Sequence, residues 1–184
     1  MKLSAQEQQH TERRLAIRYA SAGEEARERL EQRLAALSPE EAALTRWCYA
    51  ASPLSDWANY DFPLFHAHAA HALHLRTESP LAAALPEGLF LNYVLHPRVN
   101  EEELCDCRAF FAAQLRDRVA GLPAREAALA VNEWCAEQVC YRATDERTSA
   151  ARNVWRSGFG RCGEESTFAV NALRAVGLPA RQVY

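Results

Sequence analysis

A cysteine-bearing turn places the strongest limit on how this chain folds. Residues 160–163, Gly-Arg-Cys-Gly, lead directly into apolar side chains that repeat every four residues, the spacing of one helix face: Phe168, Ala172 and Val176. Gly177 suits the left-handed position just past a helix end, and Pro179 follows it. The sequence therefore predicts a helix over about 162–176 with Cys162 in its first turn.

The position of Cys162 suggests a chemical role. A cysteine at a helix N-terminus faces unpaired backbone N–H groups and the positive end of the helix dipole, and both stabilise negative charge on sulfur. The same N–H groups can receive the oxyanion that forms when a thiolate attacks an amide carbonyl. Gly160 and Gly163 leave room for a substrate backbone. Glu164 and Glu165 complement the helix dipole, although their charge opposes that of a thiolate. A buried structural cysteine is the alternative.

The residues before this turn predict a succession of helices. The strongest start signal is Ser38, followed by Pro39 and by an acid at the third helical position, Glu41. Asn100 followed by Glu103 predicts the start of a later helix. The sequence does not decide whether the apolar run 89–95 forms a helix or a strand. We predict helices over about 4–23, 26–37, 39–51, 64–76, 100–121 and 123–140.

A long polar connection precedes the cysteine. Residues 141–161 are rich in Thr, Ser, Asn and Gly, and loops of this length are more often functional than decorative. Trp155 within this loop is a candidate wall of a substrate groove, and a loop anchor is the commoner role of such an aromatic residue. Residues 181–184 predict the opening of a strand without an evident partner before it.

The cysteine segment resembles the transglutaminase-like superfamily. The resemblance is carried by GRCGEEST at 160–167 and ALRAVGLPARQVY at 172–184. These match the family's Gly-x-Cys-Gly-Glu turn, a helix ending in Leu-Arg-x-x-Gly, and Pro-Ala-Arg entering a strand. A looser similarity to bacterial members with a helical leader covers residues 92–95, 98–100, 132–135 and 141–148.

The resemblance implies a papain-like core in which a cysteine attacks an amide and a thioester is resolved by an amine or by water. It also implies a histidine and an aspartate on later strands. Neither residue type follows Cys162, since all six histidines precede it. We therefore expect those partners beyond residue 184, and we expect this chain alone to be inactive.

Composition excludes several other classes. The chain has 184 residues, enough for little more than one domain, with 21 basic and 24 acidic side chains and no dense basic block, so we expect no nucleic-acid partner. We expect no membrane partner either, because the N-terminus is polar and no apolar stretch is long enough to span a bilayer. The six cysteines form no CxxC pair and suit a reducing, cytoplasmic setting.

Two further groups of side chains could carry a site. His66, His68, His71 and His74 could hold a metal, but no acid lies among them and an ordinary helix face is the preferred interpretation. Cys105/Cys107 and Cys135/Cys140 lack i, i+3 or i+4 spacing, so in a helix each pair would point apart and pack in the core.

The sequence as a whole predicts an α+β fold, mostly helical, with a helical N-terminal region over 1–98 and a truncated transglutaminase-like core over 99–184. The predicted function is cysteine-dependent acyl transfer or hydrolysis at peptide or protein amides, with no cofactor and no metal. Cys162 is the catalytic residue, and Gly160, Gly163, Glu164 and Trp155 support the turn and groove. The alternatives are a non-catalytic protein-binding module with the same fold and a metal-binding protein. Oligomeric state is left open.

Overall fold

The computed structural model describes residues 2–145 and 148–183. Helices make up most of this part of the chain, and two short strands pair in parallel. The predicted class, α+β and mostly helical, is confirmed. The elements are α1 (Ala5–Ala22), α2 (Glu24–Leu34), α3 (Pro39–Ala51), α4 (Leu54–Asn59), α5 (Phe62–Glu78), α6 (Pro80–Ala83), α7 (Glu87–Phe90), a π-helix (Leu91–Leu95), α8 (Arg108–Val119), α9 (Ala124–Gln138), β1 (Cys140–Tyr141), α10 (Ala151–Ser157), β2 (Phe159–Gly160) and α11 (Cys162–Ala175).

A first hydrophobic cluster joins the N-terminal helices as far as the π-helix. Its centre is the packing of α3 on α5, with α1 on the other side of α3. The predicted start of α3 is confirmed, because Ser38 Oγ accepts from the Glu41 N–H (3.3 Å) and the Glu41 carboxylate accepts from the Ser38 N–H (3.3 Å). The Trp47 indole N–H donates to Glu7 (2.7 Å) and ties α3 to α1.

The apolar run 89–95, whose type the sequence leaves open, spans the end of α7 and the π-helix. The last carbonyls of any helix lack intrahelical partners, and buried ones must be satisfied elsewhere. Here the guanidinium of Arg108, which is 1% exposed, donates to the carbonyls of residues 94–96. The end of the π-helix is therefore held by a side chain from α8.

The prediction that a helix begins at Asn100 is wrong, since α8 begins only at Arg108. The reason lies in the buried carboxylate of Glu102, which accepts from the N–H of Val99 (2.7 Å) and of Asn100 (2.6 Å). These bonds close a turn and use the groups that a helix cap would have engaged. We call residues 98–102 the Asn100 turn.

The uninterrupted loop predicted over 141–161 is also wrong. The segment contains α10 and β2, and β2 pairs in parallel with β1. The pairing is made by the Cys140 N–H to the Gly158 carbonyl (3.0 Å) and the Arg142 N–H to the Gly160 carbonyl (2.9 Å). Two-residue strands leave too short a pattern for sequence periodicity to reveal.

A second hydrophobic cluster joins α8, α9, α10 and α11. Its aromatic centre is formed by Phe111, Trp134 and Phe168, with ring centroids 5.3 Å apart for Phe111–Phe168 and 5.4 Å apart for Trp134–Phe168. One helix of this cluster, α11, carries Cys162 at its first position.

The predicted stop at Gly177 is confirmed. Gly177 has φ +87°, which a residue with a side chain rarely adopts, and the Leu178 N–H returns to the Leu173 carbonyl (3.0 Å). A Cβ at Gly177 would stand 2.9 Å from the Ala82 Cβ, so glycine also allows α6 to approach. Beyond this stop, residues 181–183 form no strand, which corrects the strand prediction in that range.

Parts of two predictions fall outside the described residues, namely 146–147 of the predicted loop and Tyr184 of the predicted strand. Among the helices of the described ranges, none combines the length and apolar character needed to cross a membrane.

Candidate active site

Cys162 is the first residue of α11, and its side chain is exposed. The first helical hydrogen bond of α11 runs from the Glu165 N–H to the Arg161 carbonyl (2.8 Å). The N–H groups of residues 162–164 therefore precede the intrahelical ladder and lie at the positive end of the helix. This arrangement offers main-chain donors beside an accessible sulfur.

Glu164, two residues after the cysteine, is buried rather than turned toward solvent, with 2% of its surface exposed. Its carboxylate accepts from the Arg161 N–H (2.9 Å), the Thr144 hydroxyl (2.7 Å) and the Ser149 N–H (3.1 Å). Burial acts to raise the pKa of Glu164, but these hydrogen bonds outweigh it and hold that pKa below its usual value. Glu164 thus ties Thr144 and Ser149 to the start of α11.

The two glycines that flank the cysteine differ in their surroundings. A Cβ on Gly160 would stand 2.8 Å from the Glu164 Cβ and 3.4 Å from a methyl group of Val154, so no side chain fits there. At Gly163 the nearest atom to such a Cβ is the Asn100 side-chain nitrogen, at 3.9 Å. Gly160 is therefore required for packing, whereas a methyl group at Gly163 would meet the Asn100 side chain at an ordinary contact distance.

The Asn100 turn brings a side-chain amide beside the start of α11. Its position is fixed by Arg98, which donates to the carboxylate of Asp56 on α4 (2.9 Å) and to the carbonyl of Glu102 (2.7 Å). Asp56 is 2% exposed, so this ion pair is largely removed from water. The sequence did not single out Asn100 as a site residue, and the only signal was its membership of the segment 98–100 that resembles the family.

A groove of about 420 Å³ runs along this turn. Its lining includes Asn59, Tyr60, Asn100, the exposed Glu101 and Thr148. Because Asn100 also approaches Gly163 and the neighbouring Ser149 bonds to Glu164, the groove lies next to the N-terminal turn of α11.

A buried arginine fixes the opposite end of α11. Arg174 is 3% exposed and donates to the carbonyls of Ala180 (3.0 Å), His96 (2.7 Å) and Arg98 (2.9 Å). Burial, reinforced by the positive charge of Arg108, lowers the pKa of Arg174 to about 9. Arg174 thereby joins α11 to the Asn100 turn through the backbone.

Trp155 lies in α10 and packs against the second hydrophobic cluster. Its indole N–H donates to Gln138 (3.3 Å), and its ring meets Phe110 edge to face at 4.7 Å. These contacts are those of an anchor, and a role as groove wall stays a prediction.

The histidines engage other parts of the molecule. His66 lies 3.4 Å from Glu41, and His71 bonds to the Ala175 carbonyl (2.9 Å). His68 is buried, and His96 bonds to the backbone of Arg98. Within residues 2–145 and 148–183, no hydrogen bond joins a histidine to Cys162, and no group of three or more His, Cys, Asp or Glu side chains is arranged to hold a metal ion.

Residues 113–184 match the family model of the transglutaminase-like superfamily. This segment is transglutaminase-like. The match begins within α8 and includes Cys162, Glu164 and Arg174, whereas the Asn100 turn precedes it. It indicates the fold of cysteine-dependent acyltransferases and proteases. Searches among curated proteins and solved structures find no match to the chain.

Proposed function

We propose that the chain carries the nucleophile of a cysteine-dependent acyl transfer to or from peptide and protein amides, and that the nucleophile is Cys162. The observation that carries the proposal is the exposed thiol at the first position of α11, inside the transglutaminase-like segment. We also propose that the helical region over 1–98 precedes a catalytic core over 99–184. Six free cysteines support a reducing, cytoplasmic setting.

The proposed reaction begins with attack of the Cys162 sulfur on the amide carbonyl. The C–S bond forms and the carbonyl oxygen gains negative charge; the C–N bond then breaks, and the amine leaves with the proton that the Cys162 thiol has lost, as the thioester forms. The N–H groups of residues 162–164 are the donors placed to stabilise that oxygen. The absence of a side chain at Gly163 leaves more room for the substrate backbone.

Departure of an amine requires a general acid. No histidine of the described residues bonds to Cys162, so this chain is expected to accept acyl groups from activated esters, whose leaving groups depart without protonation. The choice between water and an amine as acceptor would be made after the thioester forms.

The test is acetylation of the full chain by p-nitrophenyl acetate, followed by peptide mapping with mass spectrometry. We expect one acetyl group on Cys162, released by hydroxylamine, and none on Cys162→Ala. The matched control is Cys140→Ala, because Cys140 is the other exposed thiol and does not begin a helix. Equal acetylation of Cys140 and Cys162 would refute the proposal.

A second candidate is a protein-binding module that keeps the transglutaminase-like fold without turnover. The observation that favours it is that no histidine of the described ranges contacts the cysteine sulfur. Acetylation confined to Cys162 would argue against this candidate. If Cys162 stays unmodified while Cys140 reacts, the non-catalytic module is the better account.

A further inference from the structure

A second pair of thiols lies outside the candidate active site. Cys105 and Cys107 are separated by one residue in the irregular segment before α8, and Cys107 is the residue that caps this helix. Both are free; Cys107 is 1% exposed and Cys105 is only partly buried. The sequence predicted that a helix would direct the two side chains apart. No helix contains the pair, because α8 starts after it, whereas the predicted packing in the core is observed: Cys107 belongs to the second hydrophobic cluster and Cys105 packs against it.

The side chains of the pair meet in one small cleft. Its walls include Pro97, Ala151 of α10 and Asn171 of α11, and both cysteines line it. Residues two apart along a chain are separated by no more than about 7 Å, which overlaps the upper end of the Cα spacing of disulfides. The backbone spacing of the pair is therefore compatible with a disulfide.

The surroundings make the two thiols unequal. The hydrogen bond from Cys107 lowers the pKa of Cys105, and Arg152 adds to the effect through its backbone and its charge. The same hydrogen bond, together with burial, raises the pKa of Cys107. Arg152 is held in place by its stacking on Phe110 (3.6 Å to the ring centroid). Cys105 is thus the more accessible and more readily ionised partner.

The other cysteine pair that is close in sequence shows no such arrangement. Cys135 is buried on α9, where burial raises the pKa of its thiol to about 12. Cys140 lies on β1 and donates from its sulfur to the Gly158 carbonyl (3.5 Å). This pair has a spacing of five residues and serves as an internal control.

We propose that Cys105 and Cys107 form a thiol–disulfide exchange site that reacts with low-molecular-weight disulfides such as glutathione disulfide. The Cys105 thiolate attacks one sulfur of glutathione disulfide, forms a mixed disulfide and releases one glutathione thiolate. The Cys107 thiol then loses its proton and attacks the Cys105 sulfur, and the second glutathione leaves as its thiol. The protein is oxidised by two electrons, and glutathione disulfide is reduced to two thiols.

The experiment uses the full chain with the substitution Cys162→Ala, which removes the exposed thiol at the start of α11. This variant is incubated in buffers that differ in the ratio of glutathione to glutathione disulfide. Both cysteines fall in the tryptic peptide over 99–108, so an internal disulfide appears as a loss of two hydrogens that blocks alkylation. We expect this product at ratios that leave Cys135 and Cys140 reduced. The proposal fails if the Cys105–Cys107 disulfide forms no more readily than a Cys135–Cys140 disulfide.

Single variants separate the two roles. With Cys107→Ser the resolving thiol is missing, and mixed disulfide at Cys105 should accumulate about tenfold over the parent. With Cys105→Ser the buried Cys107 should stay unmodified. The assignment is overturned if Cys105 remains unmodified in Cys107→Ser, or if Cys107 takes up glutathione in Cys105→Ser. The unsubstituted pair gives the main readout, so the test does not depend on these variants folding.

Discussion

The two ends of α11 have opposite environments. At the N-terminal end Cys162 is exposed, and a methyl group at Gly163 would meet only the side chain of Asn100, which also lines a groove. At the C-terminal end Arg174 is buried with three carbonyl partners, and Gly177 packs closely on α6. The difference shows how one helix can present a reactive group to solvent while its other end is fixed in the core.

The fixed end also positions the open one. Arg174 bonds to the backbone of residues 96 and 98, and this backbone continues into the Asn100 turn that borders Gly163. Sites held on rigid elements keep their geometry better than sites on free loops. The comparison predicts that substitutions at the C-terminal end affect stability most, and that those at the N-terminal end affect chemistry more.

The largest effect is expected for Arg174→Met. This change leaves three buried carbonyl groups without their donor, and we expect the free energy of unfolding to fall by about 3 kcal/mol. Chemical denaturation at neutral pH measures it. The matched control is Arg116→Met on the exposed face of α8, where we expect a change within about 0.5 kcal/mol. Equal losses in both variants would show that the C-terminal end is not specially fixed.

The second-largest effect is expected when the pH is lowered, because buried histidines contact the C-terminal end of α11. Burial lowers the pKa of His68 and of His71, and burial with the charge of Arg174 lowers that of His96 to about 4. The unfolded chain binds protons at these residues below about pH 6.5, and the folded chain does not until lower pH. The free energy of unfolding is therefore at its full value above about pH 6.5 and declines as the pH falls toward 4. The depressed pKa of His96 alone lowers this free energy by about 2 kcal/mol at pH 5.

Denaturation curves at pH 7 and pH 5 measure this decline. The variant His96→Gln removes one of the three groups and should show a smaller difference between the two pH values, whatever its absolute stability. A chain equally stable at pH 5 and pH 7 would contradict the assignment of neutral buried histidines.

The two glycines of the cysteine turn give a sharper contrast. Gly160→Ala forces a contact with Glu164 and should lower the free energy of unfolding by about 1 to 2 kcal/mol. Gly163→Ala meets no atom closer than 3.9 Å and should leave stability within about 0.5 kcal/mol, while acetylation of Cys162 slows because the substrate space is filled. If the two variants are equally destabilised, a methyl group is not accommodated at Gly163.

The smallest effect is expected for Thr144→Val, which removes one of the three hydrogen bonds to Glu164. We expect the free energy of unfolding to fall by about 1 kcal/mol, because Thr144 and its neighbours are held less firmly against α11. Amide hydrogen exchange should show faster exchange of the Ser149 N–H, with protection at the C-terminal end of α11 unchanged. Faster amide exchange at both ends of α11 would mean that the contacts fixing its N-terminal end and those fixing its C-terminal end are not independent.

The sequence could predict features that local hydrogen bonds decide. The cap at Ser38 and the stop at Gly177 depend on residues within one turn of each other, and both are confirmed. The start predicted at Asn100 failed for a local reason as well. The sequence contains three consecutive acids at 101–103 that could engage the backbone, and Glu102 rather than Glu103 does so.

Long-range contacts could not be predicted in this way. The approach of Asn100 to Gly163 spans more than sixty residues of sequence, and two carbonyl partners of Arg174, those of His96 and Arg98, lie 78 and 76 residues before it. Glu164 resembled an ordinary acid of a first helical turn, because nothing local indicates that residues 144 and 149 would reach it.

The central claim is that the start of α11 activates Cys162, and comparison of two exposed thiols tests it most directly. The full chain is treated with iodoacetamide at pH 7, and the alkylation rates of Cys162 and Cys140 are followed by peptide mapping. Both thiols are exposed, but only Cys162 begins a helix. We predict alkylation of Cys162 about tenfold faster than that of Cys140. A Cys162 that reacts no faster than Cys140 would contradict the account.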